Sequence, residues 1–354
     1  MTEEFIPQEI HDTPEAIRAT LEQTRAGAQA AAGAMKARGI RRIYLIGNGT
    51  SIYSSMAATY TARLLAGPDA PLVVAVPAGD FRYYTPALNS EDVVVGVTAS
   101  GEFRDVLAVF ERIKGQCLTI GITHVPGSSV TRIADHLLYS AGGASRVPVM
   151  TKTYASTLTA IHLLLMEYFG AEQVYYDDLA NAPARTSAAI DEAEQRLPAI
   201  ISELSSFEHA FYFGAGCAYA AALEGALKMK EMAILHAEGS ETWEMASGPA
   251  TVVSKNVFCA ALTSGDAMDA ETQNGARHNR QWGARLVEIG PQQVCDDMFL
   301  PAQAARFACF SSLTLVPAAA LMAYRNASAR GFNPNQPTWR ERYVSQGMTH
   351  IIGE

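Results

Sequence analysis

The sequence predicts an α/β protein of two tandem three-layer α/β/α lobes with parallel sheets, related by internal duplication. Three observations carry this. Short apolar runs end repeatedly in glycine- or hydroxyl-rich turns and give way to helical periodicity, which is the pattern of strand–turn–helix units. Two different turn types recur in the same order, at offsets of 167 residues (Gly47 to Gly214) and 164 residues (Ser100 to Ser264), as duplication of one unit requires. The chain has 354 residues, 49% of them hydrophobic and 18% charged, enough apolar material for two cores of ordinary size.

Taken in order, Ala16 to Ala37 is Ala-rich with apolar residues at helical spacing and reads as one or two helices. Arg42 to Ile46 is a strand ending in Gly47-Asn48-Gly49-Thr50-Ser51, and Ile52 to Ala66 is the helix after it. Val73 to Val76 and Asp92 to Val97 are further strands. The second runs into Thr98-Ala99-Ser100-Gly101-Glu102, a helix from Phe103 to Lys114 and a strand from Leu118 to Ile122. An apolar helix spans Thr157 to Phe169, and the polar stretch Tyr175 to Glu194 reads as helices joining two halves. The pattern then restarts. Ala210 to Phe213 leads into Gly214-Ala215-Gly216-Cys217 and a helix through Glu224, and Val257 to Leu262 leads into Thr263-Ser264-Gly265-Asp266. Alternating strands and helices imply parallel sheets covered on both faces.

A net charge of −9 with scattered Lys and Arg offers no basic face for a polyanion, so nucleic acid is not an expected partner. The five cysteines, Cys117, Cys217, Cys259, Cys295 and Cys309, are isolated and form no C-x-x-C pair. That fits a reducing compartment and no metal site. The opening residues lack the basic and apolar regions of a leader, and no run of about 18 uncharged apolar residues is expected to span a bilayer. A cytoplasmic protein with no membrane partner is the expectation.

In open parallel sheets, ligands bind beyond the carboxyl ends of the strands, where backbone N–H groups and helix N-termini face outward. Asn48, Gly49, Thr50 and Ser51 lie there, as do Thr98, Ala99 and Ser100, and together they can form a cup for a phosphate. The plainer explanation is that these hydroxyls cap the following helices. Neither loop is a Walker loop, and Gly47-x-Gly49 lacks the third glycine of the dinucleotide fingerprint, so a nucleotide is not expected. On a helix, Glu224, Lys228 and Glu231 share one face. Glu231 beside an ammonium suits proton transfer on an open-chain sugar, and a solvated salt-bridged stripe is the competing explanation.

Gly47-Asn48-Gly49-Thr50-Ser51, Thr98-Ala99-Ser100-Gly101-Glu102, Val125-Pro126-Gly127-Ser128-Ser129, Thr151-Lys152, Ala222 to Glu231 and His236-Ala237-Glu238 resemble the double sugar isomerase (SIS) domain proteins. The models are the isomerase half of glucosamine-fructose-6-phosphate aminotransferase, ketosamine-6-phosphate deglycases and aminosugar-phosphate deaminases. No cysteine precedes Cys117 to serve as the nucleophile of a glutaminase half. The resemblance implies an N-terminal helical segment (1–36), SIS-like domains at 37–180 and 181–330, and a tail (331–354) that closes the site. It also implies a homodimer, a sugar phosphate as ligand and no cofactor.

By the same resemblance, phosphate contacts fall on Ser51, Thr98, Ala99 and Ser100, and the sugar loop falls on Val149, Met150 and Thr151. Glu231 takes the place of the proton-transferring carboxylate, with Lys228 one turn earlier. Three positions depart from the family pattern. Ser247 stands where a ring-opening histidine is found, and a serine takes up no proton at neutral pH. Arg342 stands where a Schiff-base lysine is found, and arginine stays protonated. Phe103 stands where a threonine hydroxyl is usual. The implied activity is isomerase, deaminase or deglycase chemistry on a 6-phosphorylated amino sugar or ketosamine by C1/C2 proton transfer. The alternative is a catalytically reduced sugar-phosphate sensor.

Overall fold

A computed structural model describes residues 5–143, 145, 149–295 and 298–336. The chain opens with α1 (Phe5–His11) and α2 (Thr13–Arg38). There follow β1 (Arg42–Gly47), α3 (Thr50–Leu65), β2 (Leu72–Pro77), α4 (Ala78–Tyr83), β3 (Asp92–Val97), α5 (Arg104–Ile113), β4 (Leu118–Thr123), α6 (Val130–Ile133) and β5 (His136–Tyr139). Helices α7 (Lys152–Phe169), α8 (Gln173–Ala180) and α9 (Ala182–Leu204) connect to the second half. That half comprises β6 (His209–Gly214), α10 (Tyr219–Ala233), β7 (His236–Glu241), α11 (Thr242–Ala246), β8 (Val257–Leu262), α12 (Asp269–Gln281), β9 (Arg285–Gly290), β10 (Met298–Pro301) and α13 (Ser312–Ala329).

Among the described residues every strand pairing is parallel, and the strands form two five-stranded sheets, ordered β2-β1-β3-β4-β5 and β10-β9-β8-β6-β7. Counted from its own first strand, the second sheet repeats the order 2-1-3-4-5 of the first. The internal duplication is therefore visible in topology as well as in the loops. Residues 15–145 and 152–180 form one compact unit, the first lobe, and 5–14, 149–151 and 181–336 belong to the other, the second lobe.

The central strands β3, β4 and β8 are buried at every position, which is why they read as continuous apolar runs rather than alternating ones. Strands missed in the sequence lie toward the sheet edges. β7 (HAEGSE) lies at an edge with only Ala237 and Ser240 buried, and β5 and β10 are four-residue edge strands. In β9 the apolar run is interrupted by Glu288, a buried carboxylate that accepts the N–H groups of Val294 (2.6 Å) and Cys295 (2.7 Å). Against the expectation from sequence, one stretch, Ala308–Ala329, is long and apolar enough to cross a membrane by length and composition. In the fold, 89% of its most apolar window is buried inside the protein, where α13 packs on α9 and α10.

Two buried histidines in the first lobe tie stability to pH. His162 pairs its Nδ1 with the Thr61 hydroxyl at 2.8 Å, and His124 lies between Ser140 and Thr157. Burial pushes His162 down to about 3 and His124 down to about 4, so both are neutral in the fold. The unfolded chain protonates them near pH 6.5 and so binds more protons below that value. Their contribution is complete above about pH 6.5 and is lost as pH falls toward 4, at up to about 1.4 kcal/mol per pH unit for each. Thermal melts between pH 7 and 4 should show a melting temperature that declines below pH 6.5. A flat profile down to pH 4.5 would contradict this assignment.

Candidate functional site

In the first lobe, the turns after β1 and β3 lie at the carboxyl ends of adjacent central strands. Gly49 adopts φ 53° at the start of α3, a left-handed conformation that a side chain disfavours. A Cβ at Gly47 would come within 2.8 Å of the Ser51 Cβ and 3.2 Å of the Val97 carbonyl, so only glycine allows the two turns to approach. Asn48 Oδ1 accepts the Ala78 N–H (3.1 Å), tying the first turn to α4. Thr98 is buried and its hydroxyl accepts the Phe103 N–H (3.3 Å), while the Ser100 hydroxyl accepts the Glu102 N–H (3.2 Å). Both hydroxyls thus brace the turn, as the capping explanation requires, and each keeps its proton to donate. Among the described residues no group accepts the N–H of Ala99 or Ser100. Two adjacent amides and two hydroxyls in such a turn form a concavity suited to an anion.

The second lobe holds the copy. Gly216 repeats the positive φ of Gly49, at 54°, and a Cβ at Gly214 would lie 3.0 Å from both the Ala218 Cβ and the Leu262 carbonyl. Ala218 therefore matches Ser51, without its hydroxyl. Thr263 donates its N–H to Ile289 as Thr98 donates to Ile122, so Thr263 matches Thr98 and Ser264 matches Ala99, one place from the sequence pairing with Ser100. Here the chain fills its own cup. Asp269 accepts the N–H groups of Ser264 (2.8 Å) and Gly265 (2.7 Å), and Asp266 accepts those of Met268 (2.7 Å) and Cys217 (3.3 Å).

The charged cluster of α10 is also in the second lobe. Lys228 is completely buried, with its Nζ 3.2 Å from Glu224 Oε1 and 2.6 Å from Glu231 Oε2. Glu224 is as buried as the lysine, whereas 24% of the Glu231 side chain is open to solvent. Burial acts to lower the Lys228 pKa, but Glu224 and Glu231 together outweigh it and hold the ammonium above its ordinary value. This is not a solvated stripe. Two carboxylates share one permanent cation, and the accessible one stands within a hydrogen bond of it. Helix α10 then ends at Ile234, whose φ of 50° is a strained conformation for a β-branched residue, three positions after Glu231.

Other expected site residues are placed less openly. Val149 is completely buried, Met150 is half-buried, and the buried Thr151 hydroxyl lies 3.4 Å from Glu9 Oε2. Ser247 closes α11, donating its hydroxyl to the Trp243 carbonyl at 2.7 Å. Phe103 packs against the first-lobe core cluster that includes Tyr44, Phe81 and Val106, and its side chain supplies no donor. Arg342 lies outside the described residues. Sequence reasoning passed over Asp266 and Asp269 as occupants of the second cup, because their role follows only from the amides they accept. It also left Glu224 without a role, though its spacing from Lys228 was visible.

The chain belongs to the SIS domain family, whose model matches residues 38–167 and 203–289. Among curated relatives, glutamine–fructose-6-phosphate aminotransferase (isomerizing) of Methanothermobacter thermautotrophicus is 30% identical over 342 residues, covering 94% of this chain and 56% of that protein. The chain thus spans little more than half the length of that relative. Among solved structures, the C-terminal domain of glucosamine-fructose-6-phosphate aminotransferase from Francisella tularensis superposes with a TM-score of 0.85 at 22% identity, covering 95% of this chain and 99% of that one. Glucosamine-6-phosphate deaminase from Thermotoga maritima gives a TM-score of 0.77 at 21% identity, covering 94% and 97%. These two likenesses show the fold.

The triad separates structure from chemistry in a testable way. Lys228→Met leaves the buried Glu224 carboxylate without its cation and should cost about 3–5 kcal/mol in stability. Glu231→Gln leaves Lys228 paired with Glu224 and should cost about 1 kcal/mol or less. Urea unfolding of the two variants checks this. Equal, small effects would mean that the cation is not the keystone of the cluster.

Proposed function

We propose that the chain is a sugar-phosphate isomerase, deaminase or deglycase that acts on a 6-phosphorylated amino sugar or ketosamine. The observation that carries it is the α10 triad: an accessible carboxylate, Glu231, held 2.6 Å from a buried ammonium that is itself anchored by a second carboxylate. In the proposed reaction the phosphate is taken by the amides of Ala99 and Ser100 and the hydroxyls of Ser51, Thr98 and Ser100, with Asn48, Gly49 and Thr50 shaping the turn. Val149, Met150 and Thr151 are assigned to the sugar.

Glu231 accepts the proton from one of the two carbons C1 and C2. The electron pair moves into an enediol or enolamine whose growing negative charge lies beside Lys228, and the proton returns to the other carbon. The aminotransferase relative at 30% identity supports the substrate class.

A second reading, a sugar-phosphate sensor with reduced catalysis, has one observation in its favour. The Ser247 hydroxyl, which by the resemblance stands in place of a ring-opening histidine, already donates its proton to the Trp243 carbonyl. Under the enzymatic reading the substrate is therefore one that enters in open-chain form, and Arg342 is proposed to clamp it rather than to form a Schiff base.

Incubation with glucosamine 6-phosphate, fructose 6-phosphate and fructosamine 6-phosphates, with detection of ammonia, free amino acid and interconverted hexose phosphate, separates the two readings. Turnover lowered by about 10²–10⁴-fold in Glu231→Gln, with ligand affinity retained, is the expected result. Binding without product from any of these compounds favours the sensor, and full activity in Glu231→Gln overturns the proton-transfer role. Ser100→Ala should weaken phosphorylated ligands by about fivefold or more, as for a hydrogen bond of about 1 kcal/mol to a charged group. An equal effect on unphosphorylated sugars would remove Ser100 from the phosphate site.

A further inference from the structure

The two cups differ in charge at corresponding positions. Counting from the matched pair Thr98 and Thr263, Asp266 corresponds to Gly101 and Asp269 to Arg104, and Arg104 and Asp269 are each the first residue of the helix that follows. In the second lobe, the Asp269 carboxylate bonds to the amides of Ser264 and Gly265. Their counterparts in the first lobe, Ala99 and Ser100, donate to no described group. The second lobe thus sets its own carboxylate on the amides that correspond to those of Ala99 and Ser100.

Beside the first cup two arginines draw on a single carboxylate. Arg104 is 44% exposed, and its guanidinium rests on Asp105 through longer contacts of 3.2 and 3.3 Å. The same carboxylate already has a 2.9 Å bond from Arg82 on α4. Two cations therefore share one anion. The other acid in the turn, Glu102, accepts the Ser129 N–H at 2.7 Å, and the Ser129 hydroxyl together with that N–H holds its carboxyl below the usual range.

We infer that the residue at the start of the helix after the third strand decides which lobe takes an external phosphate. Arg104 is a further phosphate ligand that replaces the donor lost at Phe103, and Asp269, with Asp266, is a built-in occupant that closes the second cup. This rests on the proposed phosphate site of the first lobe and goes beyond it, because it assigns one phosphate per chain and names the residue that excludes a second.

The test is isothermal titration with glucosamine 6-phosphate, glucosamine and inorganic phosphate against wild type, Arg104→Gln, Arg104→Asp and Asp269→Asn, with circular dichroism and melting curves as fold controls. Wild type should bind one glucosamine 6-phosphate per chain. Arg104→Gln should weaken it by about tenfold, for the loss of one charge-assisted bond. Arg104→Asp should weaken it by about a hundredfold or more, because the new carboxylate competes for the Ala99 and Ser100 amides, and glucosamine should be unaffected. Asp269→Asn should raise the stoichiometry for inorganic phosphate from one to two. Arg104→Asp binding as tightly as Arg104→Gln, or an unchanged stoichiometry in folded Asp269→Asn, overturns the inference and leaves the first-lobe site standing. Equal affinity of wild type for glucosamine and its 6-phosphate overturns the phosphate site itself, and the inference with it.

Discussion

A completely buried ammonium needs counter-charge, and the environment of Lys228 follows from that need. An isolated charge in a protein interior costs several kcal/mol, so the lysine is tenable only beside carboxylates that are held as firmly as it is. Glu224 meets this requirement from one helical turn before, at 3.2 Å and fully buried. Glu231 meets it from three residues after, but from a position that still reaches solvent. One helix face thus carries a structural ion pair and an accessible carboxylate held in place by it. The helix that presents them ends in a strained left-handed isoleucine at position 234, a local cost of the kind found where geometry at a site is over-determined.

The duplicated architecture shows how one topology supplies different chemistry in its two copies. Gly47 and Gly214 play the same steric role, as do Gly49 and Gly216, because both lobes must bring two turns together above a parallel sheet. The side chains placed on that shared backbone diverge. The first lobe has hydroxyls at Ser51 and Ser100 and a cation at Arg104. The second has Ala218, Gly265 and two aspartates that accept its own amides. The triad of α10 is on the second lobe, so the proposed phosphate-holding and proton-transferring functions belong to different copies of the repeat.

Much of this was legible in the sequence because glycine-bounded turns after apolar runs have few structural explanations. The parallel sheets, the duplication and the candidate turns all follow from that signal. Edge strands such as His236–Glu241 were not legible, since a mostly polar edge strand with two buried positions resembles a loop. The spacing of Glu224, Lys228 and Glu231 favoured a solvated stripe over a functional cluster, because helical periodicity says which residues share a face but not which way that face points. Burial decides it. The occupants of the second cup were hidden for a different reason: Asp266 and Asp269 look like ordinary helix-capping acids until the amides they accept are compared with those of the first lobe.

The central claim is that the Glu231 carboxylate carries a proton between adjacent carbons of a phosphorylated sugar. Its most direct measurement is exchange of substrate hydrogen with solvent. Glucosamine 6-phosphate, fructose 6-phosphate and fructosamine 6-phosphates are incubated with the protein in deuterium oxide, and C1 and C2 are followed by nuclear magnetic resonance. The account predicts deuterium at one of these carbons for at least one compound with wild type, and none above background with Glu231→Gln. Deuterium entering equally with both proteins, or with neither, would contradict it.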